Sequence, residues 1–247
     1  MKPEIKIFTR KEELAESMAE EFIQYTGKLL QRKDFIFLAF SGGRTPELFF
    51  RKINTLGSIH KDKTDFNKMH FFWCDERCVS PVDEESNFGL MNRIFLRPKN
   101  IPAQNIHRII GENDPQKEAI RYEEEIRKVV PLKNNFPAFD WLFLGIGDDG
   151  HTASIFPDQF NLLYSNKFAE VAKHPQTGQS RITLTGKVLL NAERITFMVT
   201  GENKKQKIKE ILANEQIAKT YPAGFIKPLS GKLDYYLDRE SGILLNS

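Results

Sequence analysis

Cysteine, long apolar runs and targeting signals are scarce or missing in this sequence. Its 247 residues include two cysteines, Cys74 and Cys78, too few for the disulfide framework of a small secreted protein. No apolar run approaches the roughly 18 residues that a membrane-spanning helix requires. The first residues, from Met1 to Glu4, lack the apolar segment of a signal peptide. We therefore expect a cytoplasmic protein with no membrane partner.

An excess of one charge is also missing. The chain has 36 basic and 33 acidic residues, a formal net charge of +3. That balance argues against a nucleic-acid partner, because such proteins bind many phosphates with clustered basic residues. A small anionic substrate needs only a few local cations. The apolar fraction of 40% and charged fraction of 28% are typical of a globular protein. We expect one domain over residues 1–247.

Short apolar runs alternate with amphipathic, charged segments along the chain. The apolar runs predict strands at Ile5–Phe8, Phe35–Phe40, Met69–Cys74, Asn105–Ile110, Trp141–Ile146, Phe168–Ala172, Arg181–Thr185 and Arg194–Thr200. The amphipathic segments predict helices at Lys11–Gln31, Pro46–Leu56, Glu84–Phe95, Asp114–Val130 and Glu202–Ala213. Continuously apolar strands between helices predict an α/β fold, a mostly parallel sheet with helices on both faces. Ligands of such sheets bind at the carboxyl ends of the strands.

The segment after the second predicted strand reads Ser41-Gly42-Gly43-Arg44-Thr45. Two glycines allow the backbone to approach a ligand closely, and the following helix directs free N–H groups toward it. This pattern favours a phosphate cradle, with Thr45 as N-cap of the helix. A tight turn before an ordinarily capped helix is the alternative.

The segment after the fifth predicted strand contains the best candidate for a catalytic base. It reads Gly147-Asp148-Asp149-Gly150-His151. Histidine titrates nearest to physiological pH and is the usual general base there. Either Asp148 or Asp149 could orient its ring, and we take Asp149 as the partner. The other four histidines are interpreted as surface or core residues: His60, His70, His107 and His174.

Two further strand ends bring charged residues to the same edge of the sheet. Asp75-Glu76-Arg77 follows the third strand and could contact sugar hydroxyls and a phosphate, or form a solvated loop. Lys204 begins the helix after the last strand, where a solvated lysine is the simpler interpretation. Cys74 and Cys78 have no His or Cys pair in register, so no metal site is predicted.

Several segments resemble the 6-phosphogluconolactonases, which share a superfamily with the glucosamine-6-phosphate isomerases and deaminases. The resemblance spans nearly the whole chain, and the matching segments occur in the family's order. They are SGGRTP (41–46), DERCVSPVDEESN (75–87), GIGDDGHTASIFP (145–157), RITLT (181–185), LLNAERITFMVTGENK (189–204) and YPAGFIKPLSGKLDYYLD (221–238).

The resemblance implies a NagB/RpiA-like, Rossmann-type fold and hydrolysis of 6-phospho-D-glucono-1,5-lactone in the oxidative pentose phosphate pathway, without metal or organic cofactor. It also implies roles for individual residues. His151 would be the catalytic base, and Asp75 would contact sugar hydroxyls or orient a guanidinium. The phosphate would be bound by the loop and by cationic side chains: Ser41, Gly42, Gly43, Arg44, Thr45, Arg77, Arg181 and Lys204.

One position separates the two branches of that superfamily. Deaminating isomerases resemble the sequence up to the histidine, but they need a carboxylate five residues after it, where this chain has Phe156. Phenylalanine cannot titrate, so deamination of glucosamine 6-phosphate is the disfavoured alternative. A sugar-phosphate sensor without catalysis is a second alternative.

Overall fold

A seven-stranded sheet forms the centre of the fold in the computed structural model, which describes residues 2–59, 65–213 and 215–245. Its strands are β1 (Glu4–Phe8), β2 (Ile36–Phe40), β3 (Met69–Trp73), β5 (Ile106–His107), β8 (Trp141–Leu144), β11 (Arg194–Val199) and β12 (Lys232–Asp238). A smaller sheet contains β4 (Asp75–Arg77), β9 (Ala169–Lys173) and β10 (Ser180–Leu184), and a short hairpin contains β6 (Leu132–Lys133) and β7 (Phe136–Pro137). The prediction that His60 lies on the surface or in the core falls outside the described residues.

All neighbouring strands of the central sheet are parallel, in the order β1-β12-β11-β8-β2-β3-β5. The strand order reverses between β2 and β8: the chain after β2 continues to β3 on one side, and the chain after β8 continues to β11 on the other. In sheets of this kind the crevice at such a reversal is the usual ligand site. The loops that begin at Ser41 and Gly145 therefore flank that crevice.

Helices cover both faces of the central sheet. The helices of the described residues are α1 (Lys11–Leu30), α2 (Arg44–Ile59), α3 (Asn87–Met91), α4 (Pro115–Val129), α5 (Asn161–Tyr164), α6 (Gly186–Leu190), α7 (Lys205–Ala213), α8 (Glu215–Ala218), α9 (Pro222–Phe225) and α10 (Arg239–Gly242). On one face, Phe22 of α1 and Phe49 of α2 pack on Phe143 of β8. On the other face, Tyr122 of α4 packs on Phe72 of β3. The predicted α/β fold with a mostly parallel sheet is confirmed.

The small sheet is a departure from the predicted arrangement. Its strands are antiparallel, with β10 between β4 and β9. The segments predicted at Phe168–Ala172 and Arg181–Thr185 thus lie outside the parallel sheet. Asp75–Arg77, interpreted as a strand end or loop, is itself a strand that continues from β3. Apolar content identified the strands, but it could not determine which strands pair, because pairing depends on contacts distant in sequence.

Two predicted helix boundaries were wrong. Helix α2 begins at Arg44 rather than Pro46, so Thr45 lies inside its first turn and is not the N-cap. Its hydroxyl lies 2.8 Å from that of Thr200. Helix α3 begins at Asn87, because the Ser86 hydroxyl accepts a hydrogen bond from Gly89 N (3.0 Å) and caps it there.

The sequence patterns do not predict β12 as a strand. Its seven residues, KLDYYLD, have charged side chains at both ends and at Asp234, and the others are apolar or aromatic. It pairs between β1 and β11 and is almost entirely buried. Within the described residues, no helix is long and apolar enough to cross a membrane. A single domain over residues 1–247 stays a prediction.

Candidate active site

A cleft of about 380 Å³ opens at the carboxyl ends of β2 and β8, where the strand order reverses. One wall comes from the loops that follow these two strands, and the other comes from the small sheet. Eight of the predicted site residues line it: Ser41, Gly42, Asp75, Arg77, Asp149, His151, Arg181 and Lys204. These eight residues come from five separate segments of the chain and meet in one place.

A tight turn after β8 positions His151. The N–H of Gly150 donates to the carbonyl of Gly147 (3.0 Å), and the N–H of Gly147 donates to the carbonyl of His151 (2.8 Å). Gly150 has φ +85°, which disfavours any side chain, and a Cβ there would lie 2.4 Å from the ring of Tyr221. A Cβ at Gly147 would lie 2.1 Å from Nδ1 of His151. Both glycines are therefore needed for the ring to occupy its place.

Asp149 holds the imidazole of His151 from one side. Its Oδ1 lies 2.6 Å from Nδ1 of His151 and also accepts a hydrogen bond from His151 N (3.0 Å). Burial alone would raise the pKa of Asp149, but the hydrogen bonds from His151 outweigh burial and lower that pKa to about 2. An ionised Asp149 can only accept a hydrogen bond, so Nδ1 of His151 carries the proton and Nε2 has the free lone pair. This is the tautomer that a general base requires.

The side chain of Asp148 points away from His151, unlike that of Asp149. Its carboxylate accepts hydrogen bonds from Asn203 Nδ2 (2.8 Å) and pairs with the ammonium of Lys204. Of the two aspartates that the sequence left open, Asp149 is thus the one that contacts His151. Lys204 lines the cleft, and its ammonium is already paired with a carboxylate.

Arg77 and Arg181 lie directly opposite each other on β4 and β10. Among the described residues neither forms an ion pair with a carboxylate, and the Nε atom of each is buried without a hydrogen-bond partner. Burial, and next the charge of Arg77, lower the pKa of Arg181. Like charges directly opposite each other in a sheet are destabilising, so this pair is suited to an anion that neutralises both guanidiniums.

Asp75 lies beside the arginine pair and is 4% exposed. Its Oδ2 accepts a hydrogen bond from Ser154 Oγ (2.7 Å), while Oδ1 has no partner among the described residues. A buried carboxylate oxygen without a donor costs free energy, so Oδ1 is suited to a ligand hydroxyl. Glu76, the next residue, instead accepts hydrogen bonds from Ser86 and from the backbone of Asn87 and Phe88, and it anchors that loop.

The predicted cradle from Ser41 to Thr45 is divided between two spaces. Ser41 and Gly42 line the main cleft, whereas Gly43 and Thr45 line an adjoining cleft on the side of β11 and β12. Gly42 contacts Asn87 so closely that a Cβ would lie 1.7 Å from Asn87 Oδ1. Within the described residues the N–H groups of Gly42 and Gly43 have no acceptor, which leaves them free for a ligand. The side chain of Arg44 lies outside the described part of the chain.

Sequence reasoning did not assign Asn87 or His174 to the site, although both line the cleft. Asn87 was noticed only as part of a matching segment, and it donates from Nδ2 to the carbonyl of Asp75 (2.9 Å). His174, interpreted as a surface or core residue, is partly exposed and lines the cleft as well. Its place before a turn that contains Pro175 and Gly178, between two strands, was visible in the sequence, but the packing of that hairpin on the cleft was not.

Among the described residues, no group of three or more His, Cys, Asp or Glu side chains is arranged to bind a metal ion. The cleft contains a histidine–aspartate pair, a buried carboxylate and two guanidiniums. Such a set can deprotonate a water molecule beside an anionic ligand that carries hydroxyl groups.

The chain belongs to the family described as glucosamine-6-phosphate isomerases/6-phosphogluconolactonase, whose model matches residues 9–235. A relative from Haemophilus influenzae, a 6-phosphogluconolactonase, is 41% identical over 238 residues, which cover 96% of this chain and 98% of the relative. These relatives confirm two predictions from the sequence: that the chain belongs to this family, and that it is a lactonase, a carboxylic ester hydrolase.

Solved structures agree with this placement. The crystal structure of 6-phosphogluconolactonase from Thermotoga maritima has a TM-score of 0.82 and 27% identity, covering 96% of this chain and 100% of that one. A monomeric glucosamine-6-phosphate deaminase has a TM-score of 0.78 at 21% identity, covering 98% and 99%. The second likeness, at 21% identity, shows the fold alone.

Proposed function

We propose that this cleft binds 6-phospho-D-glucono-1,5-lactone and hydrolyses it to 6-phospho-D-gluconate by general-base catalysis, the second step of the oxidative pentose phosphate pathway. The observation that carries the proposal is the pairing of His151 with Asp149, 2.6 Å apart, in the same cleft as two unneutralised guanidiniums. A base and an anion site in one cleft suit a substrate with an ester at one end and a phosphate at the other.

His151 acts on water in this reaction. Nε2 takes a proton from a water molecule as its oxygen attacks the C1 carbonyl, and the C1 oxygen becomes an oxyanion. When the tetrahedral intermediate collapses, the bond from C1 to the ring oxygen breaks, and Nε2–H returns the proton to that oxygen. Asp149 stabilises the imidazolium between these two transfers. Base assistance of this type contributes about 10²–10⁴-fold to the rate.

The remaining residues bind and orient the substrate. Arg77 and Arg181 hold the phosphate, which fixes the distance from that end to the lactone carbonyl. The free N–H group of Gly42, which lines the main cleft, is a donor for an oxygen that gains negative charge. Asp75 accepts a hydrogen bond from a sugar hydroxyl through Oδ1. Lys204 adds positive charge at the edge of the cleft, although Asp148 competes for it.

Deamination of glucosamine 6-phosphate is less compatible with this site. Phe156, at the position where that reaction needs a carboxylate, is fully buried. Its ring packs against His151 with centroids 4.7 Å apart, and the guanidinium of Arg181 lies 5.6 Å from its centroid. This position therefore supports the other two side chains by packing and can neither donate nor accept a proton.

The test follows disappearance of 6-phosphogluconolactone by NMR, with subtraction of its spontaneous opening. His151→Ala should lower kcat by about 10²–10⁴-fold with little change in KM, and Arg181→Ala should mainly raise KM. Unchanged kcat in His151→Ala would remove the base from the mechanism. Equal activity on phosphorylated and unphosphorylated gluconolactone would contradict the phosphate site, and release of ammonia from glucosamine 6-phosphate would establish the alternative reaction.

The small sugar-phosphate lactone is the partner that this proposal requires. The cytoplasmic location and the lack of a nucleic-acid or membrane partner are carried over from the sequence. They depend on charge balance and on the lengths of apolar runs, and a fractionation of cells with an antibody to the protein would test the location.

A further inference from the structure

His174 lies at the end of the hairpin formed by β9 and β10. Its N–H donates to the carbonyl of Gln179 (2.9 Å), so these two residues are opposite each other. Gln179 is two residues before Arg181, and side chains two residues apart on a strand point to the same face. His174 and Arg181 therefore lie on one face of the small sheet, on a diagonal where side chains about 7–8 Å apart can contact the same ligand.

Arg77 lies on that face as well, because it is directly opposite Arg181 on β4. The ring of Phe156 contacts two of these side chains. Phe156 is in edge contact with the ring of His174 (centroids 5.3 Å apart) and lies beneath the guanidinium of Arg181. All three polar side chains line the cleft. An anion placed against the two guanidiniums is thus within range of the imidazole.

The hydrogen bonds of His174 determine which of its nitrogen atoms carries the proton. Nδ1 accepts from the N–H groups of Gln176 and Thr177, both at 3.3 Å. A nitrogen that accepts hydrogen bonds has no proton, so the neutral ring has its proton on Nε2. Burial, and next the charge of Arg181, lower the pKa of His174 and favour this neutral ring. Nε2 contacts no acceptor among the described residues, so its N–H is available to a ligand.

The two imidazoles of the cleft are therefore held in opposite tautomers. Asp149 places the proton of His151 on Nδ1 and makes Nε2 an acceptor of protons. The backbone of residues 176 and 177 places the proton of His174 on Nε2 and makes it a donor. A base is suited to the water at C1, whereas a neutral donor beside two guanidiniums is suited to a phosphate oxygen.

We propose that His174 is a substrate-binding residue that donates a hydrogen bond from Nε2 to the phosphate of the lactone, together with Arg77 and Arg181. The inference rests on the proposed function for the identity of the substrate. It adds a specificity determinant from the β9–β10 hairpin, and it predicts that the contribution of His174 is confined to ligands that carry a phosphate.

The test compares His174→Phe with His174→Gln, because the amide nitrogen of glutamine can replace Nε2–H and phenylalanine cannot. Steady-state hydrolysis of the lactone gives KM and kcat, and inorganic phosphate is used as a competitive inhibitor. We expect His174→Phe to raise KM and the inhibition constant of phosphate by about tenfold each, equivalent to about 1.4 kcal/mol, with kcat within about threefold. His174→Gln should recover most of both effects.

Ser180→Ala is the matched control, since this residue is in β10 next to Arg181, its side chain points to the opposite face of the small sheet, and it does not line the cleft. It should leave both constants within about twofold. Thermal unfolding of each variant checks the fold, and His174→Ala replaces His174→Phe if the latter does not fold.

Three results would overturn the assignment: an unchanged KM, a raised KM with an unchanged inhibition constant for phosphate, or a loss confined to kcat. Failure of the proposed function is a separate result, because the wild-type protein would then not hydrolyse the lactone at all.

Discussion

A single oxygen, Oδ1 of Asp149, accepts both hydrogen bonds from His151, one from Nδ1 and one from the backbone N–H. Asparagine has an oxygen in the same place, so Asp149→Asn can keep both contacts while the charge is lost. Asp149→Ala loses the charge and both contacts. Comparing the two variants therefore separates the electrostatic effect of Asp149 from its effect on the tautomer of His151.

The expected magnitudes follow from the geometry. Burial raises the pKa of Asp149, yet the hydrogen bonds from His151 bring it from 3.8 to about 2. Because the side chain is 40% exposed, solvent screening reduces this charge interaction to about 1 kcal/mol, or about fivefold in rate. We expect kcat to fall about fivefold in Asp149→Asn. In Asp149→Ala the ring is free to adopt the wrong tautomer, and we expect a loss of about 10²-fold.

Proton release in a pH-stat measures these rates, because hydrolysis of the lactone at neutral pH produces a carboxylate and a proton. KM serves as the internal control, and it should change little since Asp149 contacts the base and not the phosphate site. The order of kcat should be wild type, Asp149→Asn, Asp149→Ala, His151→Ala. Equal losses in the two Asp149 variants would show that the retained oxygen does not hold the tautomer. Wild-type rates in both would refute a role for this carboxylate.

Two further predictions concern the turn and the sheet. Gly147→Ala should lower kcat by at least about tenfold in an intact fold, because the new methyl group displaces the ring of His151. Gly145→Ala, whose Cβ would meet no atom within 4 Å, should lose far less in the same assay. Separately, burial, and next the charge of His107, lower the pKa of His70 from 6.5 to about 4. The unfolded chain then binds more protons between these values, so stability falls as pH falls through that range. Urea unfolding of the wild type and of His70→Phe at about pH 7 and about pH 4.5 measures this loss of unfolding free energy. After allowance for screening, the loss should be about 1 kcal/mol smaller in His70→Phe. An equal pH dependence of stability in the two proteins would contradict the prediction.

The sequence identified where chemistry would occur, because the rule for parallel sheets is local. Continuously apolar strands between amphipathic helices indicate a parallel sheet, and polar residues just after such strands lie at its carboxyl edge. This reasoning found Ser41, Asp75 and His151 without any knowledge of the strand order. The identity of residue 156 also decided the branch of the family, since its side chain either titrates or does not.

Tertiary structure decided how these residues are oriented and which others join them. Asp148 and Asp149 are adjacent in sequence, and only the turn at Gly147–Gly150 directs Asp149 to His151 and Asp148 to Lys204. The pairing of β4 with β10 places Arg77 opposite Arg181 across 104 positions of chain. The register of the hairpin then adds His174 to the same face.

The physical reason for this division is the range of the interactions. Hydrophobic periodicity, glycine conformations and the chemistry of side chains are properties of short segments, and a sequence displays them directly. Strand pairing, buried hydrogen bonds and the neutral form of a histidine depend on residues brought together from distant parts of the chain. Only the packed tertiary structure determines these features.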